Sequence, residues 1–143
     1  MPLPTPEPGL VISYAYLWRQ EYRRGQEEGR KDRPCVIMIL EAQEKNAPRI
    51  TVAPITHSPP SSESVALLIP TKVKAHLGLD AAPSWMMLDE VNQGPWPGFD
   101  LRPIVGRHES YAYGFIPPKL FEAAKTALLQ AHHMQKLHIT PRD

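Results

Sequence analysis

Apolar residues occur in short runs along the chain, and most runs are too short for a helix. β-Branched and aromatic residues dominate these runs, and most of the 17 prolines fall between them. Because proline interrupts helices and marks turns, the pattern predicts short strands joined by firm turns. The predicted strands cover 9–18, 35–41, 49–56, 64–69, 84–92 and 101–105.

Two of these strands carry further information. The segment 35–41 opens with an unbroken apolar run, which predicts burial on both faces of the sheet. The segment 49–56 alternates polar and apolar residues and contains Pro54, which predicts that the end of this strand lies at a sheet edge or a bulge.

Helices are predicted in two places. The segment 71–77 suits one or two helical turns ended by Gly78. Pro117 and Pro118 open a longer helix. Its apolar residues recur at helical spacing: Leu120, Phe121, Ala124, Ala127, Leu128, Ala131 and Met134. The charged segment 19–32 is predicted to be a long solvated loop, with a short helix over 20–24 as the alternative. The fold class is therefore mainly β with α, a small barrel or sandwich partly closed by a C-terminal helix.

Length and composition narrow the class of protein. A chain of 143 residues suits one domain, predicted over 9–136, with a flexible Pro-rich lead at 1–8 and a tail at 137–143. We expect no membrane span and no signal peptide, because no long apolar stretch and no basic start are present. The single cysteine, Cys35, fits a reducing cytoplasm. The net charge of +1 means that any nucleic-acid site must come from local clustering.

Several short motifs, in a particular order, resemble the PemK/MazF family of toxin ribonucleases over about 9–134. The motifs are Gly9-Leu10-Val11, Arg33-Pro34-Cys35-Val36-Ile37, Pro54-Ile55-Thr56, Met87-Leu88-Asp89-Glu90-Val91 and Gly114-Phe115-Ile116-Pro117-Pro118. The resemblance implies an SH3-like β-barrel, also found in CcdB gyrase poisons. It implies the toxin of a bacterial type II toxin–antitoxin system, a cytoplasmic homodimer that cuts single-stranded RNA and is inhibited by a cognate antitoxin protein.

The chemistry of RNA cleavage explains why this family can work without a metal. RNA carries its own nucleophile, the 2′-hydroxyl beside the scissile phosphate. The protein must then stabilise the charge that grows on the phosphate, and a guanidinium fork suits this purpose. The resemblance places the catalytic arginine at Arg33 and the catalytic threonine, whose hydroxyl can bond the same oxygens, at Thr56. It implies no metal and no cofactor, and the histidines lack a convincing ligand pattern.

Four further residues are predicted to contact RNA. Arg30 and Lys31 would track phosphates, and Trp18 would stack on a base. His57 follows Thr56 directly, and an imidazole suits acid–base work near neutral pH. The alternatives are a solvated charged loop with Trp18 packed beneath it, and an exposed loop histidine.

Two other functions fit the same residues. One is a CcdB-like poison that binds DNA gyrase and cuts no RNA. The other is a non-catalytic RNA-binding regulatory barrel, in which the basic loop binds RNA that stays intact.

Overall fold

The computed structural model describes residues 3–29, 31–107 and 110–143, and these form eight strands and three helices. The strands are β1 (Leu10–Tyr14), β2 (Arg33–Glu41), β3 (Arg49–Thr56), β4 (Ala66–Leu68), β5 (Trp85–Met87), β6 (Glu90–Pro95), β7 (Ala112–Phe115) and β8 (His138–Pro141). The helices are α1 (Arg19–Arg23), α2 (Thr71–Leu77) and α3 (Pro118–His133). The predicted class, mainly β with a C-terminal helix, is confirmed.

All eight strands belong to one sheet with the order β4-β5-β3-β2-β1-β7, while β6 also pairs with β3. Strand β8 lies parallel to β6, and the other strand pairs are antiparallel. Within the described residues the pairing follows an open path and does not close into a ring. None of the helices in these ranges is both long enough and apolar enough to cross a membrane.

Strand β2 separates two apolar cores. Cys35 and Ile37 belong to a cluster that includes Trp96, whereas Val36 and Met38 belong to a cluster that includes residues of α2 and α3. Alternate residues of a strand point to opposite faces, so both faces of β2 are covered here. The prediction of burial on both faces is confirmed for residues 35–38. It does not hold for the rest of the apolar run, because Ile39 is 42% exposed.

Strand β3 keeps its predicted bounds and changes neighbours along its length. Its first half pairs with β6, up to Val52–Asn92, and its last two residues pair with β5, from Ile55–Met86. The ladder with β2 ends at Pro54, so among the described residues Ile55 and Thr56 have a paired strand on one side only. A residue without an N–H is tolerated where a ladder ends, which agrees with the edge predicted for the end of this strand.

Four further predictions need correction. The predicted strand 84–92 is two strands, because β5 pairs with β4 and β6 pairs with β3. The segment 101–105 contributes a single bridge, from Leu101 to Tyr14, and β7 takes the place beside β1. Residues 137–143, predicted to be a tail, contain β8 and so belong to the sheet. The charged segment 19–32, predicted to be a loop, begins with α1, which agrees with the alternative of a short helix over 20–24.

Candidate functional site

A groove of about 830 Å³ opens at the end of the sheet where β2 begins and β3 ends. It is lined by five of the six predicted site residues: Trp18, Lys31, Arg33, Thr56 and His57. The sixth, Arg30, lies outside the described residues. The groove therefore gathers candidates that are up to 39 positions apart in the sequence, from Trp18 to His57.

The register of β2 and β3 explains why Arg33 and Thr56 lie at the same end. The ladder between the two strands ends at Cys35 and Pro54, and beyond it Arg33 pairs with Tyr14 of β1 while Thr56 pairs with Trp85 of β5. Antiparallel pairing therefore puts the start of β2 and the end of β3 at the same end of the sheet, where both side chains line the groove.

Arg33 lies against an aromatic ring, and part of its guanidinium lacks an acceptor. Its guanidinium carbon is 5.0 Å from the ring centroid of Trp18, which in turn packs edge-on against Tyr16. The Nε atom of Arg33 is buried and has no hydrogen-bond partner among the described residues. A buried donor without an acceptor is unfavourable. The Nε atom of Arg102, which is not a groove residue, is in the same state.

Trp18 lines the groove, which both interpretations of this residue allow. Its ring is partly buried, and one ring contact is with the Arg33 guanidinium. An arginine stacked on an aromatic face has fewer orientations open to it, which favours a fixed guanidinium fork. The ring is therefore suited to orienting Arg33.

Thr56 is buried, with 8% of its surface exposed. Its Oγ1 accepts a hydrogen bond from the backbone N–H of Ser58 at 3.2 Å. This contact is the turn-forming role of a threonine at a strand end. A hydroxyl that accepts one bond can still donate its own proton, so Thr56 can also contact an anion in the groove.

His57 is exposed but has a carboxylate partner. Its Nε2 atom lies 2.8 Å from Oδ2 of Asp80, and Oδ1 of Asp80 accepts a hydrogen bond from Nζ of Lys74, also at 2.8 Å. The hydrogen bond from Lys74 holds the pKa of Asp80 below its ordinary value, and His57 contributes to the same effect. Asp80 is therefore a stable anion between two nitrogen donors.

Lys74 has only 5% of its side chain exposed. Besides Asp80, its ammonium group donates to Oγ of Ser84 at 2.7 Å and to the carbonyl of Ala82. A buried ammonium group is stable only when it is paired and hydrogen-bonded, and this one has three acceptors. Sequence reasoning missed Lys74 and Asp80, because their spacing at the end of a short helix has no distinctive pattern.

Arg107 is a second groove residue that the sequence did not indicate. Its Nη2 donates to the carbonyl of Leu77 at 2.8 Å, and its guanidinium lies 5.1 Å from the ring centroid of Tyr113. The charged residues that line the described groove are the basic Lys31, Arg33, Lys74 and Arg107 and the acidic Asp32 and Asp80. The local excess of positive charge is the clustering that a nearly neutral chain needs to attract an anion.

No protein-family model matches this chain, and no curated protein matches it. In the part of the chain that the structure describes, no group of three or more His, Cys, Asp or Glu side chains is arranged to hold a metal ion. The groove combines an excess of basic side chains, a guanidinium whose buried Nε has no hydrogen-bond partner among the described residues, and a histidine beside a carboxylate. These features suit the binding of an anion.

Proposed function

We propose that this chain is an endoribonuclease that cuts single-stranded RNA through attack of the 2′-hydroxyl, without a metal ion. The observation that carries the proposal is that the Arg33 guanidinium, stacked on Trp18, and Thr56 line the same basic groove. The buried Nε of Arg33 also has no acceptor among the described residues. A phosphodiester has the charge and the oxygen geometry that such a fork binds.

The reaction needs little from the protein beyond charge stabilisation and proton transfer. Arg33 would bind the oxygens of the scissile phosphate, where negative charge grows as the 2′-oxygen attacks. Thr56 would donate a hydrogen bond from its hydroxyl to the scissile phosphate. The products would be a cyclic phosphate and a free 5′-hydroxyl.

The rest of the groove supports binding of a flexible strand. Lys31 is exposed at the mouth, and Arg107 lines the groove. These cations would contact phosphates on either side of the scissile bond, with Arg30 extending the path in the proposal. His57 would contact the RNA beside Thr56, and Trp18 would contribute by holding Arg33.

The biological role in the proposal rests on the motif resemblance. The chain would be the toxin of a type II toxin–antitoxin system, acting in the cytoplasm as a homodimer and inhibited by a cognate antitoxin. The sheet would correspond to an SH3-like barrel, which the short, mostly antiparallel strands and the C-terminal helix α3 support.

The test is cleavage of single-stranded RNA in EDTA by the purified chain, with both product ends mapped. We expect Arg33→Ala to lower the rate roughly 10²–10³-fold, the loss typical of removing one donor from a charge-stabilising site. Arg33→Lys, which keeps the charge and loses the fork, should recover only part of the rate. Thr56→Val should also be slower. Arg23→Ala is the matched control, because Arg23 is exposed on α1 and outside the groove.

Three results would contradict the proposal in different ways. Undiminished cleavage by Arg33→Ala would remove the site assignment. RNA that is bound but stays intact would favour the regulatory barrel. Growth arrest with intact cellular RNA would favour the gyrase poison.

A further inference from the structure

We propose that His57 is the proton-transfer group of the groove, and that Asp80, anchored by the buried Lys74, positions its ring. The inference rests on the proposed ribonuclease function and adds to it a residue role that neither Arg33 nor Thr56 can fill. An arginine guanidinium stays protonated in proteins, and a threonine hydroxyl is not a base, so a separate proton acceptor is needed.

The anchor is Lys74, whose ammonium group is buried on α2, whereas 55% of the Asp80 side chain is exposed. Oδ1 of Asp80 accepts from Nζ of Lys74 at 2.8 Å and from the backbone N–H of Ala82 at 3.1 Å. These two donors fix the carboxylate. Nε2 of His57 forms a hydrogen bond with the same Oδ1 at 3.1 Å and lies 2.8 Å from Oδ2.

The carboxylate selects the tautomer of the neutral histidine ring. An ionised carboxylate only accepts hydrogen bonds, so Nε2 of His57 must carry the proton that lies between it and Asp80. The Nδ1 atom then has a free lone pair. Among the described residues Nδ1 has no hydrogen-bond partner, so it can accept a proton from a ligand.

The position of His57 fits this role. It directly follows Thr56, which would bind the scissile phosphate, and both residues line the groove. In the step, the 2′-oxygen bonds to phosphorus while its proton passes to Nδ1 of His57. The bond from phosphorus to the 5′-oxygen breaks, and that oxygen takes a proton from water. The resulting hydroxide neutralises the protonated ring.

Other charged or titratable groups share the groove with His57. They are Lys31, Asp32, Arg33, Lys74, Asp80, Arg107 and Tyr113. If cleavage slows at acidic pH, the His57→Gln variant tests whether this acidic limb depends on His57.

The activity test compares His57→Gln with His76→Gln. His76 is exposed on α2 and outside the groove, so its replacement controls for the loss of a histidine. We expect His57→Gln to lower kcat/KM roughly 10²–10⁴-fold, the usual contribution of a general base, and to abolish the acidic limb. We expect added imidazole to restore part of the activity of His57→Gly, which a purely RNA-binding role would not permit.

The positioning test does not depend on cleavage. Long-range ¹H–¹⁵N NMR of the intact chain reports which ring nitrogen of His57 carries the proton. We expect the Nε2–H tautomer in the parent chain and a mixture in Asp80→Asn, which keeps an acceptor for Ala82 and loses the charge. Asp80→Asn is preferred to a Lys74 variant because Lys74 is buried, and a thermal melt checks that it folds.

The outcomes separate the two proposals. If the parent chain does not cleave RNA, the proposed function fails and the proton-transfer role fails with it. If the parent cleaves and His57→Gln cleaves equally fast with the same pH profile, only the role of His57 is overturned. An Nδ1–H tautomer in the parent, or one unchanged by Asp80→Asn, overturns the positioning by Asp80.

Discussion

Lys74 and Arg33 line the same groove, but only the lysine has all its acceptors within the protein. The ammonium group of Lys74 is bonded to Asp80, Ser84 and a backbone carbonyl, whereas the buried Nε of Arg33 has no acceptor among the described residues. Internal acceptors make a buried cation a structural anchor, and a missing acceptor leaves a cation available to a ligand. Residue type alone does not separate these two roles.

Glu90 provides a pH-dependent test at the residue scale. Its Oε1 accepts from the hydroxyl of Tyr16 at 3.0 Å and from the backbone N–H of Arg19 at 3.1 Å. Burial raises the pKa of Glu90, and these two hydrogen bonds only partly oppose the shift. The folded state therefore keeps the proton of Glu90 to a higher pH than the unfolded chain does.

The stability contributed by protonated Glu90 is present below the unfolded pKa and is lost as the pH rises through the folded pKa. We expect Glu90→Gln, which stays neutral, to gain stability relative to the parent as the pH rises from about 4 to about 7. Urea unfolding across this range measures the difference. Glu122→Gln, exposed on α3, should show no such trend. A constant difference between Glu90→Gln and the parent would contradict the assignment.

At the scale of elements, the local residue pattern predicted which segments are extended. It did not predict which strands pair with each other. Strand β3 and helix α2 have their predicted bounds, because alternation and a terminal glycine are local signals. The segment 84–92 also looked like one strand. It is divided because its two halves pair with different strands, and periodicity along a chain carries no record of the partner.

The end of α2 gives a prediction with an internal control. Gly78 ends the helix at φ 71°, and a Cβ added there would lie 1.8 Å from Nη2 of Arg107. Gly25 has φ 86° with nothing within 4 Å of an added Cβ. We expect Gly25→Ala to cost about 1 kcal/mol from backbone strain alone.

Gly78→Ala should cost about 2–3 kcal/mol, because Arg107 must also move and lose its bond to the carbonyl of Leu77. Chemical denaturation of both variants measures the two losses. Equal losses would mean that Arg107 adapts freely and that its contact with Leu77 adds nothing to stability.

At the scale of the whole molecule, the end of the chain returns to the sheet and is held by ion pairs of two kinds. Arg142 pairs with Asp100 at 2.9 Å, with 10% and 8% of their side chains exposed. Arg49 pairs with Asp143 at 2.7 Å, with 23% and 55% exposed. The first pair joins β8 to the loop after β6, and the second lies at the surface.

Breaking these two pairs should have very different effects. Arg142→Met leaves the carboxylate of Asp100 buried without its partner, and we expect a loss of about 3–5 kcal/mol in the free energy of unfolding. Asp143→Asn weakens the exposed pair, which water screens, and should lower the free energy of unfolding far less. Guanidinium unfolding of both variants tests the comparison. Similar small losses would show that the buried pair does not stabilise the attachment of β8.

Local residue patterns were sufficient for the mainly β class, the burial of residues 35–38 of β2 and the C-terminal helix. Motif resemblance suggested Arg33 and Thr56, and the position of His57 beside Thr56 suggested the histidine. Those features depend on neighbours along the chain, whose spacing the sequence records directly. The pairing of β8, the division of β5 from β6, the Lys74–Asp80–His57 contacts and the unpartnered Nε of Arg33 depend on residues far apart in sequence. Such contacts arise only when strands select partners in space, and no local periodicity encodes that selection.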